Sequence, residues 1–125
     1  MSESPQVSPP SPQVVVLVAD MFFAAKISAV ARATGSAIKM IRDPKQLAGV
    51  AARRLIVDLN LPGAIPAAAE WRTATGGEVV GFVAHTDQQT IAAAHGGGFD
   101  QVMARSRFVQ VLPALLKTDQ QGPNE

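Results

Sequence analysis

Two aspartates stand where apolar runs of this chain end. The stretch "RRLIVDLNLPG", residues 53 to 63, closes a short apolar run on the carboxylate of Asp58 and then turns through Asn60, Pro62 and Gly63. Earlier, "VVVLVAD" closes in the same way on Asp20. An ionised carboxylate at the end of a buried run is costly unless a cation pairs with it or water reaches it. Two of them brought to one open rim would make a place for a cation. The chain has no cysteine, which excludes disulfides, thiolate metal sites and a cysteine nucleophile. His85 and His95 share no ligand spacing with an acidic residue, so neither is assigned to a metal.

The elements that must position these acids can be read from five strand-like runs, "VVVLVA", "AIKMI", "LIVDL", "VVGFVA" and "QVMA", beginning near residues 14, 37, 55, 79 and 101. Intervals of this size hold a strand, a short loop and a helix, and so predict five β-α units. Continuous rather than alternating apolar runs imply strands covered on both faces, as in a parallel sheet. After Asp20, Phe23, Ile27, Val30 and Ala31 make one helical stripe, with Arg32 on the far side and Gly35 as a stop. Asp43 and Pro44 form a cap and first-turn pair, with Leu47, Val50 and Ala51 as the buried face of a shorter helix. Pro66 opens a helix through "AAAEWRT" that Gly76 and Gly77 end. Asp87 caps "QQTIAAAH", which stops at glycines 96 to 98. Because these glycines follow a helix and precede a strand, "HGGGF" is a helix stop and not a phosphate loop. In "RFVQVLPALLK", Pro113 is expected to kink the last helix or split it.

Right-handed crossovers leave an α/β, doubly wound, five-stranded parallel sheet of order 2-1-3-4-5 as the simplest topology. In that order the first and third strands are neighbours, so Asp20 and Asp58 project into one crevice at their carboxyl ends.

Composition sets the outer limits. A chain of 125 residues with 47% apolar and 17% charged residues is sized for one domain with a real core. Eleven basic against ten acidic side chains give no broad footprint for nucleic acid or a membrane surface. Neither a secretory signal nor an apolar run of membrane-spanning length is present, so the expectation is a cytoplasmic protein. Residues 1–13, rich in proline and serine, read as a disordered arm, residues 14–118 as the domain, and residues 119–125 as a disordered tail.

The run from residue 14 to 117 resembles the receiver domain of two-component response regulators, a flavodoxin-like fold. The residues that carry the resemblance are "LVAD", "IVDLNLPG", "FVAHTD" and "GGGFDQVMARSRF". It implies that Asp58 accepts a phosphoryl group from a histidine kinase, that Mg²⁺ is held by Asp20, Asp58 and the backbone carbonyl of Asn60, and that the phosphoryl contacts come from positions Val83, Ala84 and Arg105. A carboxylate is a usable nucleophile, and carbonyl and carboxylate oxygens suit Mg²⁺.

Departures from the family pattern are equally specific. Ala19 stands where receivers carry a second acid beside Asp20, which weakens the metal site. Val83 takes the place of the switching Thr or Ser and has no hydroxyl. Arg105 followed by Ser106 replaces Lys followed by Pro, a change of shape at constant charge. The resemblance therefore implies a degenerate, stand-alone receiver.

Each of these residues also has a plain structural role open to it. Asp58 can cap its own turn, Asp20 can cap the first helix, and Arg105 can lie on the surface. Of Phe22 and Phe23, the second is expected in the core and the first at the crevice rim. Lys26 is a snorkelling lysine or a rim contact for an anion. The functional expectation is a non-enzymatic phosphorelay module that docks to a partner protein, with Asp58 as phosphoacceptor and a weakened switch; the alternative is a pseudo-receiver that docks without phosphorylation. A flavin or nucleotide carrier would need a hydroxyl- and glycine-rich loop where "ADMFFAAK" stands. A Mg²⁺-dependent hydrolase would need an Asp-x-Asp pair that is absent.

Overall fold

The computed structural model describes residues 13–84 and 88–117. The arm before residue 13, the tail from residue 118, His85 and the Asp87 cap lie outside the described residues. In chain order the elements are β1 (Val14–Leu17), α1 (Met21–Thr34), β2 (Ile38–Ile41), a 3-10 turn (Pro44–Leu47), β3 (Arg54–Asp58), α2 (Ala64–Thr75), β4 (Glu78–Val83), α3 (Gln88–Gly96), β5 (Gln101–Ala104) and α4 (Arg105–Leu116).

All strand pairs are parallel and the sheet order is β2-β1-β3-β4-β5, the doubly wound topology expected from the spacing of the apolar runs. The register sets Leu17 beside Val57 and Asp58 beside Phe82. Every residue of β1, and Leu55, Ile56 and Val57 of β3, are buried, because helices cover both faces there. The edge strands are four residues long and only partly buried, which limits the unpaired backbone they present.

Alternation along each strand sends side chains to two separate cores. On one face Val14, Val16, Ile56, Val80 and Phe82 meet Phe23 and Ile27 of α1 and Phe108, Leu112, Leu115 and Leu116 of α4. On the other, Val15, Leu17, Leu55, Val57 and Val79 meet Leu47, Ala64, Ala68 and Trp71. The first core is centred on three rings. Phe82 stacks on Phe108 with centroids 4.5 Å apart, and Phe23 meets both at 5.2 and 5.7 Å. Phe22, the neighbour of Phe23, is 90% exposed. One step along the helix thus separates a core aromatic from a rim aromatic.

Three expectations need correction. The β2 to β3 connection is not a helix. Asp43 caps and Gln46 completes a capping box, yet the turn ends at Leu47, Gly49 adopts φ 80°, Val50 is only half-buried and Ala51 is exposed. A left-handed glycine two residues after the turn stops propagation before a second turn can form. α2 starts at Ala64, ahead of Pro66; proline is tolerated at the third position because no first-turn N–H has an intrahelical partner. α4 is not split at Pro113 but runs on as one helix through it, the exposed proline costing a single backbone bond.

Truncation of the ring cluster is the direct test of this core. Phe108→Ala is expected to lower unfolding free energy by about 3–5 kcal/mol, the range for a buried aromatic, and Phe22→Ala to change it by less than about 0.5 kcal/mol. Urea titration of both variants checks the contrast.

Candidate functional site

The carboxyl edge of the sheet carries the chemistry-bearing residues. β1 ends at Leu17, and Val18 stays buried with its N–H donating to the Ile41 carbonyl. Asp20 then leaves the sheet as the N-cap of α1. Its Oδ1 accepts the backbone N–H groups of Phe22 at 2.9 Å and Phe23 at 3.2 Å. Asp20 therefore does cap the first helix, and its second oxygen is engaged as well: Oδ2 accepts from Arg105 Nη2 at 3.3 Å. These backbone bonds, with the guanidinium, hold the exposed Asp20 carboxyl below the ordinary carboxylate value.

Asp58 is the last residue of β3, half-buried where its neighbours Val57 and Leu59 are buried. Its Oδ1 accepts the Asn60 N–H at 3.0 Å, the turn-closing bond that a structural role requires. Oδ2 accepts no hydrogen bond among the described residues. Burial pushes this carboxyl above its ordinary value, the nearby Asp20 adds to the rise, and Asn60 and Arg105 oppose it. Because β1 and β3 are parallel neighbours, Asp20 and Asp58 leave the sheet at the same edge, and Arg105 meets that edge through its pair with Asp20.

Arg105 reaches this place from the first residue of α4, immediately after β5. Its guanidinium lies 3.9 Å from the centroid of the Phe23 ring. A cation on an aromatic face is held electrostatically as well as by the ion pair. Its Nε is buried and has no hydrogen-bond partner among the described residues.

The remaining positions are less active. Val83 is 4% exposed and packs in the core with Val57 and Leu59, so no polar group from it faces the crevice. Ala84 is exposed, and its N–H donates to Asn60 Oδ1 at 2.7 Å. This bond ties the loop after β3 to the end of β4. Lys26 is exposed one turn into α1 and belongs to no ion pair among the described residues. His95 is exposed at the end of α3.

The donor set does not make a preformed Mg²⁺ site. No group of three acidic or imidazole side chains lies together among the described residues. Both oxygens of Asp20 are engaged, and the Ala19 carbonyl beside it accepts from Arg42 Nη2 at 3.4 Å. Mg²⁺ needs several hard oxygens in near-octahedral array, and here a guanidinium already occupies Asp20. The roles of Arg42 and the Asn60 side chain carry no signal in the sequence. Only the apolar stripe of α1 pointed to Phe23, and then as core.

Among solved structures, the chain resembles a two-component response regulator from Clostridium difficile at 14% identity, covering 86% of this chain and 93% of that one with a TM-score of 0.72. A response regulator described as putative, from Chloroflexus aurantiacus, matches at 19% identity over 86% and 96% with a TM-score of 0.70. A response regulator protein from Burkholderia pseudomallei, with a phosphorylated aspartic acid, calcium ion and citrate, matches at 18% identity over 84% and 66% with a TM-score of 0.69. The chain thus has the fold of response regulator receiver domains. No protein-family model matches it, and no curated protein does. No helix among the described residues is long and apolar enough to cross a membrane.

The raised carboxyl of Asp58 acts on stability with a definite sign. A folded-state value above the unfolded one means that ionisation of Asp58 opposes folding. The penalty is absent below the unfolded value, about 3.9 for an aspartate, and complete above the folded one. Asp58→Asn keeps an oxygen for the Asn60 N–H and removes the penalty. The variant is expected to be the more stable protein at pH 7, with the difference closing as pH falls through that window, as followed by urea unfolding at several pH values.

Proposed function

We propose that this chain is a signalling module of the two-component type that works by docking to a partner protein, with Asp58 as its phosphoacceptor and a weakened internal switch. The observation that carries this reading is the Asp58 carboxylate at the crevice, with one oxygen fixed by Asn60 and the other without a hydrogen bond among the described residues. In the transfer step, Asp58 Oδ2 attacks the phosphorus of a donor, and the bond from phosphorus to the donor's nitrogen or oxygen breaks with its electron pair leaving on the donor. The resulting charge must be met by nearby cations and N–H groups. Arg105 is a cation whose charge acts on Asp58, and its buried Nε has no hydrogen-bond partner among the described residues. The structurally similar Burkholderia protein carries a phosphorylated aspartic acid, which supports the assignment by analogy of fold.

The response to phosphorylation differs from that of a hydroxyl-based switch. Val83 has nothing to turn toward a phosphoryl oxygen, and Ala84 has no side chain to move. Arg105 is the group with two alternatives, its present ion pair with Asp20 and a new pair with phospho-Asp58. Mg²⁺, if recruited, would compete with that arginine for Asp20. A partner that binds α4 and the end of β4 would sense the change.

Two observations favour a second reading. The buried, apolar Val83 and the engaged Arg105 suit a surface that docks without phosphorylation.

Intact-mass measurement after incubation with a small phosphodonor and Mg²⁺ separates the two. An adduct of one phosphoryl group in the natural chain, absent in Asp58→Asn and forming roughly ten-fold more slowly in Arg105→Ala, is expected from the loss of one charge-assisted contact. No adduct in the natural chain would leave docking without phosphorylation as the function.

A further inference from the structure

The side of the molecule away from Arg105 holds an open groove of about 710 Å³ between the β2 to β3 connection and α2. It exists because that connection contains a single 3-10 turn where the other strands are followed by helices. Pro44, Ala48 and Val50 form one wall, and Pro66, Ala67 and Ala74 the other. The base is the ring of Trp71, the single tryptophan of the chain, whose indole N–H donates to the Val50 carbonyl at 2.8 Å. Small, flat, apolar walls with an aromatic base suit an extended proline-rich strand, which needs no backbone hydrogen bonds from its host.

We propose that residues 1–12 of this same chain occupy the groove. Their sequence, "MSESPQVSPPSP", holds four prolines, including the spacing Pro9-x-x-Pro12, and one charged side chain, Glu3. The point of entry fits. The Gln13 carbonyl accepts the N–H groups of Arg53 and Arg54 at 3.0 and 3.2 Å, so the segment leaves the sheet two residues from Ala51, which lines the groove. Gly77, at the same end, has room for no side chain between Trp71 and the Ala52 carbonyl. The segment therefore starts beside the end of the groove formed by Ala51, Ala74 and Thr75.

Its length also fits. Twelve residues in polyproline form extend roughly 37 Å, and a twelve-residue helix such as α2 spans roughly 18 Å. The segment can run the whole groove and bring Glu3 toward Lys45 at the other end. Tethering beside the groove supplies an effective concentration on the order of millimolar, so even a weak contact is populated. A free proline-rich partner would have to displace this segment, which makes the groove a regulated surface. The inference is independent of phosphorylation at Asp58.

The test compares the full chain with a chain lacking residues 1–12 by ¹H-¹⁵N NMR. Removal is expected to shift the Trp71 indole resonance and the amides of Ala67 and Ala74 while leaving those of Phe23 and Asn60 in place. A full-length chain with Pro9, Pro10 and Pro12 replaced by serine is expected to reproduce the shift, and a synthetic peptide of residues 1–12 added to the truncated chain to reverse it. Identical groove resonances in the full and truncated chains overturn the proposal. So does a difference that grows with protein concentration, which would identify the occupant as the segment of a second copy.

Discussion

A strand buried on both faces has no place for a charge until it leaves the sheet, and β3 reaches that place at Asp58. Everything at the carboxyl edge depends on this constraint. Leu55, Ile56 and Val57 are sealed between two layers of side chains, and the next residue is the first that water can reach. Because β1 is the parallel neighbour of β3, the chain that leaves β1 emerges at the same edge and delivers Asp20. Two carboxylates on one rim repel, and the fold answers with a guanidinium from the start of α4. The arginine is held there by Asp20 and by the face of Phe23, itself fixed by two other rings. The aromatic core and the ionic rim are thus one mechanical unit.

This unit differs from a metal-centred one in how charge is balanced. A divalent cation demands oxygens from several directions and brings its own water, whereas an arginine brings a planar fork that pairs with one or two anions. With Asp20 committed to the α1 cap and to Arg105, the guanidinium offsets one of the two carboxylates without a metal. Asp58 stays half-buried, with its carboxyl pushed up by desolvation. The same arrangement that makes it a nucleophile candidate also makes its ionisation a strain on the fold.

Most of the architecture could be read from the chain because both-face burial writes itself as continuous apolar runs. "VVVLVA" and "VVGFVA" can hardly be anything but central strands, and their spacing leaves room for helices between most of them. The adjacency of Asp20 and Asp58 followed from strand order alone. The failures are local. A good cap at Asp43 started a helix that Gly49 would not let continue, and no periodicity in "LAGVAARR" distinguishes the two outcomes. Side-chain partners were beyond reach for a different reason: Arg105 on Phe23, Arg42 on Ala19 and Asn60 on Ala84 join residues far apart in sequence, through geometry set to within an ångström by packing.

The proposed function stands on an interaction of Asp58 with Arg105 across a shared crevice. Carbon-13 NMR titration of the Asp58 carboxyl in the natural chain and in Arg105→Ala measures it at the atom concerned. Loss of the guanidinium is expected to move the Asp58 midpoint upward, with Asp20 moving in the same direction. An Asp58 titration curve that is unchanged by the substitution would mean that the arginine and the aspartate do not share a site.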